Sequence, residues 1–540
     1  MDVRANASVF PHPDQIPLHM RLAHPIEQRE YLCDGVLRRW EGPLQDVESP
    51  ICLQTGGRLD RQRIGAYPLL TGREALEVLA AATRAWNQGR GAWPTMPVEG
   101  RIRAVEQFGW CMKDRRDDVV RLLMWEIGKS LADAEKEFDR TIDYIRDTIG
   151  ALKDLDRVSS RFVIEAGVIG QIRRAPLGVA LCMGPFNYPL NETFTTLIPA
   201  LIMGNPVIVK PPKLGVLLHQ PLLEAFRDSF PPGVVGTVYG DGATVVSPLL
   251  TSGGVDVLAF IGSSRVADVL KHQHPKPHRL RSVLGLEAKN AAIVLAGADL
   301  DQAIRECVLG ALSFNGQRCT ALKMIWVHEA IAGEFLARLS RAVDDLEGGM
   351  PWTPGVKVTP LPEPGKVAAM RALIDDAVAK GARVVNPNGG VAEATYMRPA
   401  VVYPVSPDAR LFHEEQFGPI VPVASFRDIA EPMHYVVESD YGQQVSVFGS
   451  DPEEIAALID PLVNQVCRVN INSQCQRGPD TFPFTGRKDS AEGTLSVTDA
   501  LRVFTIRTLV AAKETEVNRA IIKAIVTNRS STFLSTDFIL

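Results

Sequence analysis

The chain has 540 residues, 46% hydrophobic and 22% charged, so two or three folded domains with a large core are expected. The formal net charge of -5 and the isoelectric point near 6.1 argue against nucleic-acid binding as the main role. No apolar run is long enough to cross a membrane, and the N-terminal "MDVRANASVFPHPDQ" lacks the apolar core of a signal peptide. The eight cysteines show no disulfide-framework spacing, which predicts reduced thiols and a cytoplasmic protein.

The first clear elements are helices, followed by alternating strands and helices. Residues 72–156 are rich in Ala, Leu, Arg and Glu and are predicted to be mostly helical. The apolar segment 178–184 predicts a strand, and apolar side chains recur at helical spacing over 194–202. "PVIVK" then predicts the next buried strand, which ends at Lys210. This alternation predicts a doubly wound α/β fold.

Several candidate ligand-binding residues lie where these strands end. Asn187 follows the first strand, Lys210 ends the second, and Gly262 and Ser263 follow the apolar "VDVLAFI". Ligands of open parallel sheets bind at the carboxyl ends of strands, so these residues mark one edge of the sheet as the binding edge. No Gly-x-Gly-x-x-Gly segment follows a strand, which argues against the usual phosphate-binding loop of dinucleotide sites.

A second unit surrounds a cysteine. "AAIVLA" predicts a strand, and Asp299 with Gln302 three residues later predicts the start of a helix. Asn315 and Gly316 end that helix, and "ALKMIWVH" begins the next strand. Cys319 in "FNGQRCTALK" therefore lies in a short connection, where functional residues concentrate. Taken alone, this thiol is either a nucleophile or a cysteine that fills space in the core.

Five segments resemble, in this order, motifs of the aldehyde dehydrogenase superfamily. They are "GPFNYPLNETFTTLIPALIMGNPVIVKPPK", "FIGSS", "FNGQRCTALK", "EEQFGPI" and "NINSQCQRGPDTFPFTGRKDS". The resemblance runs from about residue 60 to about residue 512. Several motifs in the same order make a chance match very unlikely, whereas any single motif would be only moderate evidence.

The resemblance implies two open-sheet α/β domains plus a small β-rich oligomerisation element. Such an element exposes strand edges unless it pairs, so a homodimer or homotetramer is expected. The expected divisions are a dinucleotide-binding domain from 1–156 and 178–287, a catalytic domain from 288–490, an oligomerisation element from 157–177 and 491–512, and a C-terminal extension from 513–540.

The implied chemistry is covalent catalysis by Cys319. Its thiolate adds to an aldehyde carbonyl, and the neighbouring Arg318 is expected to favour the charged form. The Asn187 amide and the backbone N–H of Cys319 are implied to hold the resulting oxyanion. Transfer of a hydride to a nicotinamide cofactor then leaves a thioester, which water hydrolyses.

The cofactor implied by the resemblance is a nicotinamide dinucleotide. Lys210 would contact the adenosine ribose and Glu415 the nicotinamide ribose, with Phe417 packing nearby. Lys213, three residues after Lys210, places a cation where a 2′-phosphate would lie, so NADP is expected, with NAD possible. The expected cofactor-binding residues are Lys210, Lys213, Gly262, Ser263, Glu415 and Phe417.

Four residues narrow the implied substrate to a small phosphorylated aldehyde. Arg140, Tyr188, Arg318 and Arg477 match positions that hold the phosphate in members oxidising D-glyceraldehyde 3-phosphate to 3-phosphoglycerate without an acyl phosphate. Forked guanidinium groups suit a phosphate dianion. Asp480 is expected to orient Arg477. Taken singly, each arginine is more often a surface or ion-pair residue, and it is the four together at matching positions that favour the phosphate site.

The general base departs from the family pattern. The family motif reads Leu-Glu-Leu-Gly-Gly-Lys, and this chain has "LGLEAKN". Aligned on Lys289, the usual glutamate position is Gly285, and a glutamate appears two residues later as Glu287. Glu287 is expected to reach the catalytic water from a shifted backbone, with Gly285 supplying the freedom. The alternative is that Glu287 pairs with a neighbouring cation and another group activates water.

Two rival functions stay open on the sequence. One is a dehydrogenase that passes its acyl group to coenzyme A, which slow hydrolysis at a missing base would favour. The other is a catalytically weak binding or structural homologue. No metal site is expected, because the His-rich "KHQHPKPHR" lacks ligand spacing and predicts an exposed basic loop. Neither nucleic acid nor membrane is an expected partner.

Overall fold

The structure is a computed structural model that describes residues 8–539. It contains two large β-sheets. Residues 1–7, in the expected first domain, and residue 540, in the C-terminal extension, lie outside the described residues. The described α-helices are Gly72–Trp86, Val98–Lys113, Arg116–Ile127, Leu131–Ser159, Asn191–Ile202, Leu223–Ser229, Gly242–Thr251, Ser264–Gln273, Leu300–Leu312, Glu329–Asp344, Lys366–Ala379, Arg410–His413, Ala430–Glu438, Pro452–Leu462, Val497–Val503 and Glu516–Thr527.

The first large sheet has six strands, all parallel except the last, which is a short antiparallel edge strand. Its central strands are buried along their length, as strands covered on both faces are. In spatial order its strands are Val235–Thr237, Val207–Lys210, Ala180–Met183, Val257–Ile261, Arg281–Gly285 and Ala491–Glu492.

The second large sheet has seven strands and is parallel except for one edge strand. All seven strands fall within the expected catalytic segment 288–490. In spatial order they are Arg383–Val384, Ala400–Tyr403, Ile420–Phe426, Met324–His328, Ala291–Val294, Gln444–Phe448 and Arg468–Ile471. The predicted doubly wound α/β architecture is confirmed by this parallel pairing.

The smaller sheets lie outside these two. Antiparallel pairs or triplets are formed by Ile26–Glu27, Arg58–Pro68 and Leu44–Thr55; by Phe162–Glu165, Val168–Pro176 and Thr505–Lys513; by Glu30–Cys33 and Val36–Arg39; by Ala392–Glu393 and Tyr396–Met397; and by Tyr441–Gly442 and Arg487–Lys488. Within the first triplet Ile26–Glu27 runs parallel to its neighbour.

The expected oligomerisation element contains a three-stranded sheet. Thr505–Lys513 pairs with Val168–Pro176 over the whole length of both strands. Val163, Ile164 and Leu509 expose more than half of their surface, so this sheet presents apolar side chains to solvent. The first residues of the expected segment 491–512 do not belong to this three-stranded sheet, because Ala491–Glu492 pairs with the six-stranded sheet instead.

The C-terminal extension is helical and then folds back. The helix Glu516–Thr527 buries none of its residues. Beyond it, Gln171 donates to the Ser535 carbonyl at 2.6 Å, and Leu534 is almost fully buried. No helix in the described part of the chain is both long and apolar enough to span a membrane.

Gly128 adopts a left-handed backbone conformation in a closely packed position. Gly128 ends the helix Arg116–Ile127 with φ +68°, and its N–H donates to the Met124 carbonyl at 3.1 Å. A Cβ built on Gly128 would lie 2.3 Å from the Pro360 carbonyl oxygen. Both the left-handed backbone and the close approach therefore require glycine here.

Replacing Gly128 with alanine is expected to destabilise the protein by about 1–3 kcal/mol, because the side chain strains the backbone and meets Pro360. The melting temperature measures this. Gly150→Ala is the matched control, since Gly150 lies inside the helix Leu131–Ser159 and a Cβ there meets nothing within 4 Å. Equal melting temperatures for the two variants would contradict the assignment.

Candidate active site

The main cavity of the protein has a volume of about 1080 Å³ and lies at the carboxyl ends of the six-stranded sheet. Segments that follow four of its parallel strands line the cavity, and so does the Cys319 loop. Lys210 is the one predicted site residue that does not line it. The predicted residues that the fold brings together there are Arg140, Asn187, Tyr188, Lys213, Gly262, Ser263, Glu287, Arg318, Cys319, Glu415, Phe417 and Arg477.

The Cys319 loop is held by its own backbone geometry. As predicted, Asp299 caps the preceding helix by accepting from the Gln302 N–H at 3.1 Å. After that helix Phe314 and Asn315 both adopt the left-handed region, with φ of 49° and 55°. The Asn315 side chain fixes this turn, because it both donates to the Thr359 carbonyl and accepts from its N–H at 3.0–3.1 Å. The loop therefore presents Cys319 in one conformation.

The electrostatics of Cys319 differ from the sequence expectation. Burial raises the pKa of the thiol, and the nearby carboxylate of Glu192 raises it further. Lys323 and Arg477 oppose this shift without reversing it. Arg318 was expected to favour the thiolate, but its charge is not among those that act most strongly on the thiol. Its guanidinium instead donates to the Leu309 and Gly310 carbonyls, at 3.2 and 2.9 Å.

Asn187 lies directly against the Cys319 loop. Its amide nitrogen donates to the Gln317 carbonyl at 2.8 Å, two residues before the cysteine. The backbone carbonyl of Asn187 accepts from the buried ammonium of Lys129 at 2.8 Å. Lys129 also pairs with the buried carboxylate of Glu137, and its Nζ lies 3.6 Å from the centre of the Tyr188 ring. Asn187 and Tyr188 are thus both positioned by one buried cation.

Two of the predicted arginines share a carboxylate. Arg140 donates to both oxygens of Asp480, at 2.7 and 2.8 Å, and Arg477 donates to the same group at 3.1 Å. Burial opposes ionisation of Asp480, but hydrogen bonds from Arg140 and the charge of Arg477 hold its pKa below its usual range. Arg477 also pairs with Glu192. The expectation that Asp480 orients Arg477 agrees with these contacts.

Arg318 is the third arginine of the cavity, and among the described residues no carboxylate pairs with it. Its Nε is buried and has no hydrogen-bond partner among the described residues. In the same part of the chain, Arg318 forms no ion pair with a carboxylate within 4.0 Å. A buried unpaired N–H donor in the residue next to Cys319 is suited to bind an anionic group.

Glu287 lines the cavity, but its contact differs from both sequence alternatives. Its carboxylate accepts from the Ser264 N–H at 2.7 Å, at the start of the helix Ser264–Gln273, and forms no ion pair among residues 8–539. Gly285 is not in a flexible loop, since it ends a strand paired with Ile261 on one side and Ala491 on the other. The expected backbone shift at Gly285 is therefore absent.

The adenosine side of the predicted cofactor site contains two lysines. Lys210 ends its strand as predicted, and burial lowers its pKa to about 8, with the charge of Lys213 adding to that shift. Lys213 is exposed and pairs with Asp241 at 3.0 Å. Ser263 caps the helix that follows by accepting from the Val266 N–H. This set of cations and helix-start donors fits the phosphates of a dinucleotide.

The other side of the predicted cofactor site is more rigid. Glu415 pairs with the buried Lys323 and accepts from the Ala288 N–H at 3.1 Å. Phe417 lies edge-on to Phe186, with ring centres 5.8 Å apart. These contacts fix the orientation of the Glu415 carboxylate at the cavity wall.

Several charged residues at or beside the cavity were not identified from the sequence, and four of them are buried: Lys129, Glu137, Glu192 and Lys323. A signal was present for Glu192, which is the one charged residue in the otherwise apolar or neutral helix Asn191–Ile202, every residue of which is buried. Lys129 and Glu137 lie in helical sequence with an ordinary charge pattern, so their burial follows from tertiary packing.

Comparison with known proteins agrees with this geometry. The model of the aldehyde dehydrogenase family matches residues 55–510. The chain belongs to the aldehyde dehydrogenase family. A Streptococcus equinus protein named NADP-dependent glyceraldehyde-3-phosphate dehydrogenase is 32% identical over 454 residues, which is 82% of this chain and 92% of that protein. A Triticum aestivum protein of the same name is 30% identical over 490 residues, 89% of this chain and 94% of that protein.

A solved structure supports the same fold for this aldehyde dehydrogenase. The NADP-dependent glyceraldehyde-3-phosphate dehydrogenase from Bacillus halodurans C-125, complexed with NADP, superposes with a TM-score of 0.81. The two proteins are 28% identical, and the match covers 90% of this chain and 100% of that one. The implied fold, two α/β domains with a small β element, is confirmed.

Proposed function

We propose that this aldehyde dehydrogenase oxidises D-glyceraldehyde 3-phosphate to 3-phosphoglycerate with NADP and water, without forming an acyl phosphate. The observation that carries the proposal is that Arg140, Arg318 and Arg477 line the cavity that contains Cys319. Three guanidinium groups beside a nucleophilic thiol suit an aldehyde that carries a phosphate. The names of the relatives from Streptococcus equinus and Triticum aestivum support the same substrate and cofactor.

Cys319 is the proposed nucleophile. Addition forms a bond between its Sγ and the aldehyde carbon, and the thiol proton passes overall to the former carbonyl oxygen. Asn187 is the proposed oxyanion donor together with the Cys319 N–H, and its second amide hydrogen remains for that role beside the bond to Gln317. In the last step, water bonds to the acyl carbon as the Sγ–C bond of the thioester breaks.

The proposed cofactor-binding residues are Lys210, Lys213, Gly262, Ser263, Glu415 and Phe417. A bound NADP would supply the two-electron acceptor that converts the cysteine adduct into the thioester. The chain itself provides cations on the adenosine side and a fixed carboxylate on the nicotinamide side.

Glu287 is the proposed base that activates water. It is a carboxylate on the wall that Gly285 also lines, and it is the nearest in sequence to the position where the family glutamate is absent. Its carboxylate accepts from the Ser264 N–H, and the charges acting most strongly on the thiol are those of Glu192, Lys323, Arg477 and Glu415.

The remaining proposals concern organisation. We place the dinucleotide-binding domain at 1–156 and 178–287, the catalytic domain at 288–490, and the oligomerisation element at 157–177 and 491–512. Within the last segment, Ala491–Glu492 pairs with the six-stranded sheet. The exposed apolar strands of the last element support a homodimer or homotetramer. Eight cysteines without a disulfide among the described residues agree with a cytoplasmic location.

The defining experiment is formation of NADPH by the purified protein with D-glyceraldehyde 3-phosphate, without added phosphate or coenzyme A. Sustained turnover is expected, and Cys319→Ser should abolish even the first turnover because the nucleophile is lost. A burst of one equivalent that resumes only with coenzyme A would move the protein to the acyl-transferring class. Absence of any burst would contradict the proposed substrate.

Glu287→Gln is expected to slow steady-state turnover about 100-fold or more while keeping the first-turnover burst. The glutamine oxygen still accepts from the Ser264 N–H, so the fold is preserved and only basicity is lost. Rapid-mixing measurement of NADPH separates the burst from later turnovers. Glu414→Gln, which changes a surface carboxylate paired with Arg410, is the control. Turnover of Glu287→Gln equal to wild type would show that another group activates water.

Lys213→Gln is expected to lower the preference for NADP over NAD about tenfold, because a charge-assisted contact to the 2′-phosphate is lost. Dissociation constants for NADP and NAD, measured by quenching of protein fluorescence, test this without turnover. Lys380→Gln removes a lysine with a similar salt bridge, to Asp376, outside the cavity and should change neither constant. An unchanged ratio in Lys213→Gln would assign NADP preference to other residues.

A further inference from the structure

Glu192 is a buried carboxylate in the substrate cavity to which the reaction above assigns no role. It lies at the start of the helix Asn191–Ile202 and is 7% exposed. It lines the same cavity as Cys319 and pairs with Arg477, one of the three arginines proposed to bind phosphate. A carboxylate among residues that bind an anion weakens the binding of that anion by charge repulsion. Its presence in this cavity therefore calls for a separate explanation.

The contacts of Arg477 leave it little capacity for a substrate. One terminal nitrogen donates to Glu192, Nε donates to Asp480, and the other terminal nitrogen donates to the Leu495 carbonyl at 3.0 Å. Arg477 therefore faces two carboxylates, and one N–H of each terminal nitrogen remains. Arg318, by contrast, has no carboxylate partner among the described residues and keeps a buried unpaired Nε.

We propose that Glu192 is a specificity-determining residue that neutralises Arg477, so that the substrate anion binds chiefly at Arg318 and at the outer donors of Arg140. The proposal rests on the proposed function for the identity of the anion but not for the charge balance of the cavity. Arg140 and Arg477 pair with two carboxylates, Glu192 and Asp480, whereas Arg318 has no carboxylate partner among the described residues. This group of five residues therefore carries one net positive charge. Glu192 thereby limits how tightly the cavity holds any anion, including the carboxylate product.

The same carboxylate acts on the nucleophile. Besides Glu192, the charged groups that face Cys319 are Lys323, Arg477 and Glu415. Burial and then Glu192 raise the pKa of the thiol, so removal of the Glu192 charge lowers that pKa. Loss of Glu192 is thus expected to change two measurable properties in linked directions: anions bind more tightly, and the thiol ionises at lower pH.

The test compares Glu192→Gln with wild type by two measurements that need no turnover. The first is the rate of Cys319 alkylation by neutral iodoacetamide as a function of pH, with Cys319→Ser as the background. The expected shift is at least about half a pH unit downward, which raises the rate at pH 7 about threefold. The second is protection against alkylation by inorganic phosphate, which should need about threefold less phosphate in the variant.

Two further variants keep the result interpretable. Glu192→Asp retains the charge and should keep the wild-type pH profile, which a purely structural role of the side chain would not predict. Glu135→Gln changes an exposed carboxylate paired with Arg116 and should change neither measurement. Melting temperatures show whether each variant is folded. If Glu192→Gln does not fold, the comparison is made with Glu192→Asp and with the double variant Glu192→Gln/Arg477→Gln. The double variant should keep the phosphate dependence of wild type.

An unchanged alkylation profile together with unchanged phosphate protection in Glu192→Gln would overturn the proposal. These outcomes are independent of whether D-glyceraldehyde 3-phosphate is oxidised, because they probe only the resting thiol and inorganic phosphate. If the proposed function holds, Glu192→Gln should also lower the KM for D-glyceraldehyde 3-phosphate about threefold and leave that for unphosphorylated D-glyceraldehyde unchanged.

Discussion

A buried ammonium group holds the active site together. Lys129 is fully buried and is shared by three parts of the chain: the carboxylate of Glu137 on the long helix, the Asn187 carbonyl after a strand of the six-stranded sheet, and the Phe314 ring in the cysteine loop. An uncompensated ammonium in such a place would cost several kcal/mol, so each partner is constrained by the others. The proposed oxyanion donor and the loop that carries Cys319 thus take their positions from one charge.

The substrate side of the cavity is a balance of opposite charges rather than a simple cationic pocket. Asp480 joins Arg140 and Arg477, and Glu192 takes a further donor of Arg477. Carboxylates keep buried guanidinium groups oriented, because an unpaired buried cation is disfavoured. The arrangement leaves Arg318 without a carboxylate partner among the described residues, and it places an anion close enough to act on the thiol.

Gly285 shows how a fold can lose a side chain without losing its local structure. The Gly262 N–H donates to the Gly285 carbonyl at 3.0 Å, so the strand keeps its hydrogen bonds even though the position carries no carboxylate. The glutamate two residues later points to the start of the helix Ser264–Gln273, where backbone N–H groups attract a negative charge. The carboxylate proposed to activate water is therefore held at the start of a helix.

The sequence by itself determined the parallel strands, the helix that precedes Cys319, and the family, because apolar periodicity and ordered motifs are local properties of the chain. It also identified twelve of the residues that line the cavity, although not Glu137 or Glu192. Only the tertiary structure decided the ionisation of Cys319, the pairing of Glu192 with Arg477, and the position of Gly285 in a strand. These depend on burial and on charges contributed by residues distant in the chain, such as Glu192 and Arg477, which no local pattern brings together.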